Sequence, residues 1–164
     1  MAKAKDFPGL SSEDTYGEAA AKIISTRGQE LTEHARGVLD TTDIERVHDM
    51  RVATRRLRAA LEIFEPCFPA GSYGDTLAEV KAIADALGER RDRDVTIEAL
   101  ERFVDGLASP DRPGVAGLIE EIRAEQADAN AELEAFVSSH RLAALSERLS
   151  ELVVEAEALG STAR

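Results

Sequence analysis

The sequence has no tryptophan, a single cysteine, and aromatic rings at only 4% of its 164 positions. A core without large rings must be built from Leu, Ile, Val and Ala, and one cysteine excludes an internal disulfide. Cys67 lies in "FEPCFP" and reads as a small buried group, not as a reactive thiol. Long apolar runs are missing too: none approaches the roughly 18 to 20 residues that cross a bilayer. The opening "MAKAKDFPGLSSEDTYG" has two lysines with no apolar segment behind them, unlike a secretory signal. These absences predict a soluble cytoplasmic protein with no membrane partner. Basic residues are also in the minority, 20 against 32 acidic ones for a net charge of −12. A general nucleic-acid coat would be basic throughout, so the balance argues against nucleic acid as partner. Strand-like alternation of any length is absent as well.

What the chain does have is abundant Ala, Leu, Glu and Arg, a mix that favours helix. The fold class is therefore all-α, an antiparallel bundle of about five to six helices. Residues 1–14 read as a flexible N-terminal arm and 15–160 as one helical domain. A first helix starts near Tyr16 and runs through "EAAAKIISTRGQELTEHARGVLD", with Ile23, Ile24, Leu31, Ala35, Val38 and Leu39 as core positions. The cap cluster "TTD" at 41–43 predicts a second helix from about Asp43 to just before Pro66. "EPCFPAGSYGD" reads as a loop. A third helix is predicted from Asp75 to Leu87, ending at Gly88 as a left-handed cap, with Asp92 or Asp94 starting a fourth. After "ASPDRPG" the pattern is helical again from about Gly114 to Ser139 and from His140 to Leu159.

The charge is unevenly spread. Residues 46–58 contain Arg46, Arg51, Arg55, Arg56 and Arg58 against Asp49, a net of +4, whereas residues 101–164 hold 13 acids and 6 bases. At about 100° per residue, His48, Arg51, Arg55 and Arg58 share one helix face. Met50, Ala53, Leu57, Ala60, Leu61 and Phe64 occupy the opposite face, and Arg56 sits on a flank. Like charges three and four apart repel, so an uninterrupted cationic stripe implies a bound anion or acids on a neighbouring helix. Arginine at every position favours the anion, because its planar fork matches pairs of phosphate oxygens. Lys81 on the next helix is placed to face the same groove. Arg90, Arg91 and Arg93 surround the predicted break at "LGERRDRDV", where Asp92 and Asp94 would cap a helix or orient the arginines. His34 and His140 lack such company and read as surface residues.

"VHDMRVATRRLRAALEIF", followed about thirty residues later by "LGERRDRDV", resembles the signature of the CHAD family, the conserved histidine α-helical domain. His48, Arg51, Arg55, Arg56, Arg58, Leu87, Gly88, Arg91, Asp92, Asp94 and Val95 fill the places of that pattern, and the likeness is best over residues 15 to 107. The resemblance implies an all-helical fold whose basic groove binds inorganic polyphosphate, sometimes at polyphosphate granules. On the polyanion reading, His48, Arg51, Arg55, Arg56, Arg58, Lys81 and Arg91 are the ligand contacts, with Arg90, Arg93, Asp92 and Asp94 flanking them. Family domains commonly have two pseudo-symmetric bundles around a shared groove. This chain reads as one half of that arrangement, and self-pairing into a homodimer would rebuild the groove.

Two other readings stand beside a non-catalytic polyanion binder. One is a metal-binding or metal-dependent phosphohydrolase-type protein using His48 with nearby acids such as Asp92 and Asp94. Neighbouring residues on a helix point about 100° apart, which makes it hard for His48 and Asp49 to share one ion, and no cofactor or metal is assigned. The other is a purely structural bundle whose arginines are internal salt-bridge partners.

Overall fold

The computed structural model describes residues 3–162, with side chains as far as Gly160. Met1 and Ala2, the first residues of the expected N-terminal arm, lie outside the described residues. Five helices carry the fold: α1 (Tyr16–His34), α2 (Glu45–Ile63), α3 (Ala70–Asp105), α4 (Arg112–Val137) and α5 (Ser139–Thr162). Short 3-10 turns at Glu65–Cys67 and Ser109–Asp111 join α2 to α3 and α3 to α4. Among the described residues there is no strand, and the all-helical expectation holds.

The start of α1 is fixed locally. Thr15 accepts a hydrogen bond from the Glu18 backbone N–H, and the Glu18 carboxylate accepts one from the Thr15 N–H at 2.8 Å. That reciprocal cap satisfies two amide donors that the first turn would otherwise leave unpaired. Residues 3–14 are not helical and lie along α1, with the Lys5 ammonium 2.6 Å from Glu33 and the Arg27 guanidinium over the Phe7 ring. α1 stops at His34 and does not reach Asp40 as the pattern suggested. Gly37 turns the chain in a left-handed conformation, φ +70°, which a glycine adopts without steric penalty. Val38 then returns to the core at 1% exposure.

α1, α2 and α3 run antiparallel in turn, and α4 and then α5 run back along α3 in the opposite sense. The Tyr16 hydroxyl at the start of α1 donates to the Ile63 carbonyl at the end of α2. Arg91 of α3 reaches the start of α2, and Gly17 of α1 faces Ala156 and Gly160 of α5. The core joins all of them: Ile24, Leu31, Met50, Leu57, Leu61, Val80, Ile83, Leu87, Leu133, Leu145 and Leu152 are buried together. On α2 the six apolar positions expected to face inward are all buried.

α3 departs most from expectation. It is one helix of 36 residues, roughly 54 Å at 1.5 Å per residue. Its first half packs in the bundle against α2 and α5, while its second half pairs with α4 through Arg93–Glu125 and Arg123–Glu101. It begins at Ala70, so the expected loop ends five residues early. Gly88 is not a left-handed cap, since the only glycines with positive φ among the described residues are Gly9 and Gly37. The helix therefore does not break there, and Asp92 and Asp94 start no new helix. Leu87 is fully buried on one side of Gly88. Beyond it, ion pairs at i,i+4 spacing, Glu89–Arg93 and Arg90–Asp94, fasten the following turn. Burial and pairing outweigh the roughly 1 kcal/mol by which one glycine disfavours helix.

Candidate functional site

The amphipathic build of α2 aims its cations outward. Arg51, Arg55 and Arg58 are exposed, with Val52 half-buried between their turns. Because α3 runs antiparallel beside α2, these side chains line a cleft of about 200 Å³ whose other wall is Ala84 and Asp85. Lys81 is half-buried one turn before Asp85 on the same face of α3, beside the cleft and not among its lining residues. Asp85 was not singled out from the sequence. Its signal was its i+4 spacing from Lys81, which puts it on the groove side of α3.

The pairing pattern separates these cations from most of the rest, although Arg36 and Arg148, exposed elsewhere, also lack a side-chain partner among the described residues. Most arginines meet a carboxylate: Arg27 with Glu30, Arg93 with Glu89, Arg123 with Glu101 and Glu120, and Arg141 with Glu79. Arg58 is held by Glu62 of its own helix at 2.9 Å. Among the described residues, no ion pair or hydrogen bond engages the side chains of Arg51, Arg55 or Lys81. Arg56, half-buried on the flank, is not one of this unpaired set. Three cations on two adjacent helices thus stand around one cleft with no carboxylate in contact, although Asp85 lines the same cleft.

The motif after Leu87 divides three ways, because successive residues of a continuous helix point about 100° apart. Arg90 is fully buried, and its Nε lies 2.9 Å from the buried Asp94 carboxylate. The Gln126 amide donates to the same carboxylate oxygen at 2.6 Å, Arg90 also donates to Asn130, and Asn130 donates to the Leu39 carbonyl. This network ties α3 to α4 and to the loop after α1. Arg90 and Asp94, expected at the flank of the cleft, are interior instead. Arg93 points to α4, and its hydrogen bond to Glu89 raises its already high pKa further. Asp92 is exposed, and its carbonyl accepts from the Thr96 hydroxyl.

Arg91 points to α2. Its Nη1 donates to the Ile44 carbonyl at 3.1 Å and its Nη2 lies 3.5 Å from Glu45. It therefore clamps the first turn of the basic helix. His48 is half-buried one turn ahead of Arg51. Its ring nitrogen and the carboxylates of Glu45 and Asp49 have donor atoms within 4.8 Å of one another. These side chains thus approach one another more closely than the angle between neighbouring Cα–Cβ bonds suggests. The acids that accompany His48 are Glu45 and Asp49, not Asp92 and Asp94.

Cys67 is buried, and that burial pushes its thiol up from the ordinary range. It is the small buried group expected there. No helix among the described residues is long and apolar enough to cross a membrane.

The family model for the CHAD domain matches residues 22–164. The chain belongs to the CHAD domain family. No curated protein matches it.

Proposed function

We propose that the protein is a non-catalytic binding module for inorganic polyphosphate or a similar linear polyanion, with the cleft between α2 and α3 as its site. The observation that carries this reading is the set of unpaired cations, Arg51, Arg55 and Lys81, around a cleft that Arg51, Arg55 and Arg58 line. Aligned like charges disfavour the empty helix and are relieved by an anion whose charges repeat along its length. Arg58 would exchange Glu62 for phosphate, while Arg91 acts by holding the start of α2 in place. His48 adds a donor at the head of the cationic face. No aromatic ring lines the cleft, so nothing there stacks a nucleobase, and the phosphate chain itself is the better fit.

Calorimetric titration with long-chain polyphosphate at two salt concentrations tests the reading. The wild type is expected to bind more tightly at the lower salt, and the Arg51→Ala/Arg55→Ala variant to stay helical and lose that binding. Failure of the wild type to bind at low salt would overturn it.

A further inference from the structure

Resting on the polyanion reading, the geometry points to Asp85 as a divalent-cation ligand: we propose that the cleft takes its polyanion as a magnesium salt, with the metal bridging the Asp85 carboxylate and phosphate oxygens. Asp85 is exposed and lines the same cleft as Arg51, Arg55 and Arg58. Among the described residues it forms no ion pair or hydrogen bond with any of them, nor with Lys81 one turn before it. It is thus not there to hold the arginines in place.

A phosphate drawn between the three guanidiniums would meet this carboxylate as a like charge, which an anion site ordinarily avoids. Asp85 cannot withdraw by a backbone movement, because it lies mid-way along α3 beside the buried Ile83 and Leu87. A cation held between the two anionic groups would turn that repulsion into a bridge. Mg²⁺ suits the gap: it keeps several waters and is commonly held by one or two carboxylates together with substrate phosphates. The remaining wall, Val52 and Ala84, offers no side-chain donor that would compete for the metal. The cation site is complete only when the polyanion is present, which makes metal and anion binding mutually reinforcing.

The test is a titration of wild type and Asp85→Asn with long-chain polyphosphate, in EDTA and in excess Mg²⁺ at matched ionic strength. Because Asp85 is exposed, the variant is expected to keep wild-type circular dichroism. In EDTA, Asp85→Asn should bind more tightly than wild type, since a repulsion is gone. In Mg²⁺ the order should reverse, giving a coupling of about fivefold or more between the substitution and the metal. If Asp85→Asn is tighter by the same factor in both conditions, Asp85 only repels and the proposal fails while the polyanion reading stands. If neither protein binds polyphosphate under either condition, the polyanion reading fails and takes the proposal with it.

Discussion

At the scale of single residues, neighbouring arginines with identical chemistry have different duties because the helix turns between them. Arg90 enters the core, Arg91 clamps α2 and Arg93 meets α4. Arg90→Leu should destabilise the protein by about 3–5 kcal/mol, because it strands the Asp94 carboxylate without its charge partner. Chemical denaturation measures this directly, and a loss under about 1 kcal/mol would mean that the pair is dispensable. Asp40 gives a milder, pH-dependent case. Hydrogen bonds from Thr42 hold its carboxyl below the usual carboxylate range. That contribution is present above the unfolded-state pKa and fades as the pH falls through the lower folded value. An NMR titration should find Asp40 titrating below a model aspartate. Which arginine went where was not legible from the sequence. The run "ERRDRDV" looked like one basic cluster around a break, and only its true helical phase separates core, clamp and surface. Asp85 was passed over for a related reason: a search for aligned cations does not register the lone carboxylate among them.

At the scale of elements, α2 was readable almost to the residue. Its apolar positions recur with a 3.6-residue period and its cations fill the opposite face, so periodicity alone fixes which side is buried. α3 was misread because glycine and aspartate act as punctuation only when nothing stronger opposes them. At Gly88 buried Leu87 and the i,i+4 ion pairs prevail, whereas Gly37, with nothing helical to gain, ends α1. The two glycines therefore make opposite predictions. A Cβ at Gly88 would meet nothing within 4 Å, so Gly88→Ala should stabilise the protein by about 0.5–1 kcal/mol through helix propensity and a less flexible unfolded chain. Thermal unfolding decides this, and destabilisation would mean a left-handed break that the continuous helix excludes. A Cβ at Gly37 would come within 2.9 Å of the Arg46 guanidinium on a backbone at φ +70°, and Gly37→Ala should destabilise.

At the scale of the whole molecule, a net charge of −12 and a local cluster of unpaired cations coexist because, Asp85 apart, the acids are spent in local pairs or lie outside the cleft. The acidic body disfavours indiscriminate anion binding, while the cleft remains locally positive. Four phosphate contacts, from Arg51, Arg55, Arg58 and Lys81, should give log affinity against log salt a slope of roughly −3, by analogy with single-stranded phosphate backbones. Removing Lys81 alone should lower the steepness of that slope by roughly 0.7. A slope near zero across a salt series would rule out counterion release as the source of affinity.

The central claim is that the cations of α2 serve a ligand and not the fold, and Arg55→Glu tests it most directly. Its unfolding midpoint would be measured with and without long-chain polyphosphate, beside the wild type. Arg55 is exposed and has no partner to lose, so the account predicts a midpoint within about 0.5 kcal/mol of wild type and no stabilisation by polyphosphate, which should raise the wild-type midpoint. An Arg55→Glu protein that unfolds, or one that polyphosphate stabilises as well as it does the wild type, would contradict it.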